Sequence, residues 1–218
     1  MNYKHQYTDG TPIHYPLGKV VCIGRNYADH AQELGNEVDA EPGLFLMPNT
    51  AVCGPGDPVF MPSIFSEISY EGELAVIIGR MCKDIAPEDV PGVVLGYTCA
   101  NDVTARDLQK SDVQFTRGKG FDTFCPLGPW IETDLDPAAS RVTTRLDGEV
   151  VQTQLARQLV EVGRRLTTVI DTLGLDGSAS AAAVACQVSF HALGRALLTA
   201  TYSVPGAHAP FITEESHA

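Results

Sequence analysis

The stretch Glu73-Leu-Ala-Val-Ile-Ile-Gly79 limits the fold of this chain more than any other. It is a short apolar run rich in β-branched residues and closed by glycine, which predicts a strand buried on both faces. Glu71 and Glu73 stand at its head with Gly72 between them, so pleating points both carboxylates to the same side. Lys19 to Ile23, closed by Gly24, reads as a second buried strand, and Gly43 to Met47, Pro58 to Met61 and Val93 to Ala100 read as others. Asp147-Gly148 is a preferred two-residue turn, making Arg141 to Val151 a hairpin. Short helices are expected from Asn26, with Ala28, Ala31 and Leu34 at helical spacing and Gly35 as the stop, and from Thr104 to Lys110. The acidic, turn-rich interval from Asn36 to Gly43 reads as an exposed loop. Many short strands with few helices make a β-rich α+β domain.

The character changes after Gln152. Gln154 to Leu175 carries leucines, valines and an isoleucine at three-and-four spacing, Ala179 to Ala185 is nearly all alanine, and His191 to Ala200 reads as another helix. The expected organisation is an arm over 1–18, a catalytic domain over 19–152 and an atypical, helix-leaning segment over 153–218, with Pro205 onward a frayed tail.

A chain of 218 residues, 44% hydrophobic, has the size of one large domain. The formal charge of -12 disfavours nucleic acid and anionic membranes as partners. The polar opening Met1 to Tyr15, and the lack of any apolar run of membrane-spanning length, lead to the expectation of a soluble cytoplasmic protein. The six cysteines are scattered without a C-x-x-C pair, and read as reduced, mostly buried thiols.

Asp102, at the end of the strand from Val93, is placed to add a third hard oxygen to Glu71 and Glu73. Three carboxylates with water completing the shell suit octahedral magnesium or manganese. Spacing alone fits solvated strand-end acids better, since most acids are solvated. His30 and Glu33 lie at i, i+3 on the first expected helix, within hydrogen-bonding reach of each other, a spacing shared by surface ion pairs.

Four segments in order shift that balance: Val21-Cys-Ile-Gly-Arg-Asn-Tyr-Ala-Asp-His30, Tyr70-Glu-Gly-Glu-Leu-Ala-Val76, Asn101-Asp-Val-Thr-Ala-Arg-Asp107 and Lys119-Gly-Phe-Asp-Thr-Phe-Cys-Pro-Leu-Gly128. Together they resemble the fumarylacetoacetate hydrolase family, and most closely its small acylpyruvate hydrolase and oxaloacetate decarboxylase branch. The resemblance implies a β-rich mixed fold, a homodimer, a magnesium or manganese cofactor, and a small keto acid as substrate. It implies Glu71, Glu73 and Asp102 as metal ligands, His30 and Glu33 as the water-activating pair, and Lys119 as the cation beside a developing enolate oxyanion. Arg25 and Gln109 match positions near the substrate carboxylate and carbonyl. The implied activity is hydrolysis of a carbon-carbon bond in an acylpyruvate such as fumarylpyruvate or acetylpyruvate, with oxaloacetate decarboxylation or tautomerisation as alternatives through the same enolate.

After Gln152 the pattern of relatives stops, and the Gly-Thr-Pro-x-Gly-Val-Gly turn that closes their pocket is missing. The one Gly-Thr-Pro here, Gly10-Thr11-Pro12, precedes the first strand and reads as a simple turn. Met47 stands where relatives commonly carry lysine. The tail is either a divergent segment that covers the sheet or unrelated sequence joined near Gln152, and an inactive metal-binding relative is therefore a further alternative.

Overall fold

A computed structural model describes residues 3–14, 17–24, 43–80, 82–83, 85–155, 182–185 and 198–203. The strands are β1 (Val20–Gly24), β2 (Gly43–Met47), β3 (Val52–Cys53), β4 (Ile68–Ser69), β5 (Gly72–Ile78), β6 (Val94–Asn101), β7 (Thr104–Ala105), β8 (Cys125–Pro126), β9 (Arg141–Leu146), β10 (Glu149–Leu155), β11 (Ala182–Ala185) and β12 (Leu198–Ser203). Two short helices, α1 (Arg106–Ser111) and α2 (Thr116–Lys119), follow β7. The β-rich α+β class is thus the observed one.

The larger sheet has the order β2-β1-β11-β5-β6, and β10-β9-β12 form a second sheet. As its composition demands, β5 is buried over its whole length. Ala75 and Ile77 on one face join Val20, Cys22, Phe45, Met47 and Leu127 in the main core, while Val76 and Ile78 on the other pack with Val90. Complete burial of a side chain such as Ile77 contributes roughly 1.5–3 kcal/mol. The hairpin is also as expected: Asp147 and Gly148 take φ of 50° and 82°, the left-handed values that a two-residue turn between twisted strands requires.

Three expectations are corrected. The alanine run does not form a helix where it is described. Ala182–Ala185 pairs parallel with β1 and antiparallel with β5, filling the middle of the sheet. Leu198–Ser203, expected to include a helix end, pairs antiparallel with β9. Alanine prefers helix by only a fraction of a kcal/mol per residue, whereas an open slot between two strands offers two rows of unmet backbone hydrogen bonds. Pro58 to Met61 is not a strand. Pro58 lacks an N–H, and the Phe60 N–H is taken by the Thr123 hydroxyl at 2.8 Å. The helix from Asn26 and the bulk of the segment after Leu155 lie outside the described residues.

Cys22, Cys53, Cys99 and Cys125 are buried and Cys82 is half-buried, none of them in a disulfide; Cys186 lies outside the described residues. Burial pushes the Cys99 thiol up to about 12, and burial with the nearby Asp57 charge does the same for Cys53. Cys125 is raised too, by burial first and then by Cys22, Asp102 and Cys53, against an opposing effect of Lys119. Iodoacetamide at pH 8 on the native protein should therefore alkylate Cys82 at least about tenfold faster than Cys53, Cys99 or Cys125. Peptide mapping by mass spectrometry reads the order, and equal rates would contradict it. Among the described residues no helix is long and apolar enough to cross a membrane.

Candidate active site

The β5–β6 register assembles the acidic face. Gly72 pairs with Asn101 and Glu73 with Ala100, and the Asp102 N–H donates to the Glu71 carbonyl at 2.9 Å. Asp102 therefore lies across from Glu71, and Glu73, two residues on, shares that face. All three carboxylate residues have no solvent exposure, so the reading of them as solvated strand-end acids is ruled out. The Asn101 side chain accepts the Glu71 N–H at 3.0 Å, fixing the strand head.

Lys119, at the end of α2, has no exposure either. Its Nζ donates to Glu71 Oε2 at 2.6 Å, to Asp102 Oδ2 at 2.6 Å and to Thr104 Oγ1 at 2.8 Å. Three acceptors match the three N–H bonds of an ammonium. The Phe45 ring lies 5.4 Å from Nζ, adding a cation–π contact from β2. The helix expected from Thr104 begins instead at Arg106, with Ala105 before it and no side-chain cap, and the Thr104 hydroxyl is drawn inward to Lys119 and the Asp102 carbonyl.

Sequence reasoning missed Arg106. It sits in the first turn of α1 with 5% exposure, and its Nη2 donates to Glu71 Oε1 at 2.7 Å. Its Nη1 donates to Gln109 Oε1 in a short hydrogen bond, so Gln109 reaches the site through the guanidinium. The residue lay inside the quoted Asn101 to Asp107 segment, but an arginine in a helix ordinarily reads as a solvated cation. Burial raises the Glu71 carboxyl, and Lys119 and Arg106 together outweigh it and hold it below the usual carboxylate range. Arg25, His30 and Glu33 lie outside the described residues.

The donor set fits a hard divalent cation in kind: three buried carboxylates face two buried cations, Lys119 and Arg106, an excess of acceptor oxygen that magnesium or manganese suits. In arrangement, no three acidic, imidazole or thiol side chains among the described residues stand ready as a coordination shell. The Lys119 ammonium bridges two of the three carboxylates.

Another missed residue is Thr123, which holds φ at 70°, a strained value for a β-branched side chain. Its hydroxyl and carbonyl tie the Phe60 N–H and the Cys53 thiol to the segment that follows Lys119. No local sequence signal marks it.

Residues 19–170 match the family model described as fumarylacetoacetate hydrolase, C-terminal, which extends past Gln152, where the pattern of relatives was expected to stop. Protein Rv2993c of Mycobacterium tuberculosis is 53% identical over 137 residues, covering 62% of this chain and 52% of that protein. Oxaloacetate tautomerase YisK of Bacillus subtilis is 43% identical over 155 residues, covering 68% of this chain and 52% of its own. The chain thus spans about half the length of these curated relatives. Among solved structures, 5-carboxymethyl-2-hydroxymuconate delta-isomerase from Mycobacterium smegmatis superposes with a TM-score of 0.76 at 37% identity, covering 86% of this chain and 75% of that one. With the matched model spanning more than half of its residues, the chain belongs to the fumarylacetoacetate hydrolase family.

Proposed function

We propose that the buried carboxylate face carries metal-assisted enolisation of a small 2-oxo acid, with oxaloacetate tautomerisation as the reaction. The observation that supports it is the bridge of Lys119 between Glu71 and Asp102, with Glu73 on the same strand face and all four residues fully buried. Magnesium or manganese bound by Glu71, Glu73 and Asp102 would withdraw charge from the adjacent keto and carboxylate oxygens of the substrate. The chain's own residues do the rest. Lys119 releases one of its three acceptors and donates that N–H to the enol oxygen as charge develops there. Arg106, oriented by Gln109, holds Glu71 Oε1 while Oε2 accepts from Lys119, so the carboxylate is fixed at both oxygens. His30, with Glu33 three residues on in the sequence, would move the proton at the substrate carbon, and Arg25 would pair with a substrate carboxylate. The tautomerase named among the relatives supports this choice.

Hydrolysis of an acylpyruvate is the second reading, favoured by the i, i+3 spacing of His30 and Glu33, which suits activation of water. Either reaction is proposed for a homodimer in the cytoplasm. Decay of the enol absorbance of oxaloacetate, set against pyruvate release from acetylpyruvate, separates the two with added manganese. Glu71→Ala should lower the supported rate by roughly 100-fold or more. A folded wild-type sample with neither activity at any manganese concentration sinks the enzyme reading and leaves an inactive metal-binding relative.

A further inference from the structure

Gln152 lies 80 residues from Gly72, on β10 of the second sheet, and is 4% exposed. Its Oε1 accepts the Gly72 N–H at 3.2 Å, and its Nε2 donates to the Gly72 carbonyl at 2.8 Å. One of these peptide groups joins Gly72 to Glu71 and the other joins it to Glu73. A single carboxamide therefore grips both links between the two glutamates, from the face of the sheet opposite their side chains. The Thr144 hydroxyl donates to the same Oε1 at 3.1 Å and sets the amide's orientation. The approach is close enough to require glycine: a Cβ at position 72 would lie 1.9 Å from Thr144 Oγ1.

We propose that Gln152 is a positioning residue for the metal-binding face, fixing the spacing and tilt of Glu71 and Glu73 by holding the peptide between them. This rests on the metal-assisted reading above. Two carboxylates must meet one small cation, and Mg²⁺ or Mn²⁺ tolerates little error in angle. A strand head with free peptide groups would twist, carrying the two side chains apart. Hydrogen bonds behind the ligands commonly govern metal affinity in this way.

The test is Mn²⁺ affinity by electron paramagnetic resonance, measured on the full chain beside thermal unfolding. Gln152→Met keeps the volume and removes both hydrogen bonds, and should weaken Mn²⁺ binding by at least about tenfold. Val142→Ala, a cavity at a fully buried residue of β9 that makes no side-chain hydrogen bond, should lower Tm while leaving Mn²⁺ affinity within about twofold of wild type. Equal affinity in the two variants overturns the proposal and leaves the metal-assisted reading standing. Wild-type protein that binds no Mn²⁺ overturns that reading and the proposal with it. Should Gln152→Met fail to fold, Thr144→Val carries the test, because it frees the amide to rotate without changing side-chain shape. It should weaken Mn²⁺ binding about threefold, a partial form of the tenfold loss above, and unchanged affinity there counts against the proposal.

Discussion

Lys119→Met is expected to cost about 3–5 kcal/mol of stability when divalent metal is chelated, and much less when manganese is saturating. The ammonium is fully buried and all three of its N–H bonds are spent on Glu71, Asp102 and Thr104. Methionine restores most of the volume and none of the charge. Asp102 then loses the ammonium that pairs with it, and Glu71 keeps Arg106 but loses its second cation. Bound manganese returns positive charge to the same oxygens, and at 100 times its Kd it adds about 2.7 kcal/mol to the folded state. Because the ammonium no longer competes for two of the ligands, Mn²⁺ should also bind more tightly to this variant than to wild type. Urea unfolding in EDTA and in manganese, with a metal titration, checks both. A loss of the same size in the two conditions would mean that Lys119 contributes only packing. The pH dependence has a definite sign. Glu71 is held below its ordinary value, so its contribution is complete above the unfolded value of roughly 4.3 and is lost as pH falls through the lower folded one. Removing Lys119 raises that folded value, and acid unfolding should begin at higher pH.

The sequence carried the site in kind but not in contact. β5 was readable because its length, branching and closing glycine all agree, and the alternation along it placed Glu71 and Glu73 on one side before any register was known. Asp102 followed from the end of a neighbouring strand. The family resemblance supplied Lys119 as a cation near the chemistry, but not its bridge to two of the three carboxylates, since neither spacing nor propensity encodes where a flexible four-carbon arm lands. Arg106 and Gln152 were invisible for a different reason. Their partners lie 35 and 80 residues away and on other elements, and each looks locally like a solvated polar residue. β11 failed in the opposite sense: local preference spoke clearly for helix, and the slot between β1 and β5 overruled it.

Gly72→Ala should destabilise the fold by about 3 kcal/mol, the upper part of the range for overpacking, and Thr144→Ala should relieve most of that cost. The added Cβ would sit 1.9 Å from Thr144 Oγ1 but 3.2 Å from Thr144 Cβ and 3.3 Å from Gln152 Oε1. Thr144 has no exposure, so its hydroxyl can yield only by rotating into packed neighbours and breaking its bond to Gln152, or by forcing β5 and β9 apart. Deleting Oγ1 leaves contacts that a few tenths of an ångström accommodate. Thr144→Ala alone forfeits one buried hydrogen bond, about 1 kcal/mol. The double variant should therefore be more stable than Gly72→Ala, with a coupling energy of about 1–3 kcal/mol in a double-mutant cycle by urea unfolding. Additive losses would place the clash elsewhere. The cycle also bears on the metal face, since any shift that seats a methyl group at position 72 moves the peptide links to Glu71 and Glu73. Mn²⁺ affinity should fall in Gly72→Ala and return in part when Thr144 is cut back, so that stability and metal binding recover together through one pair of facing residues.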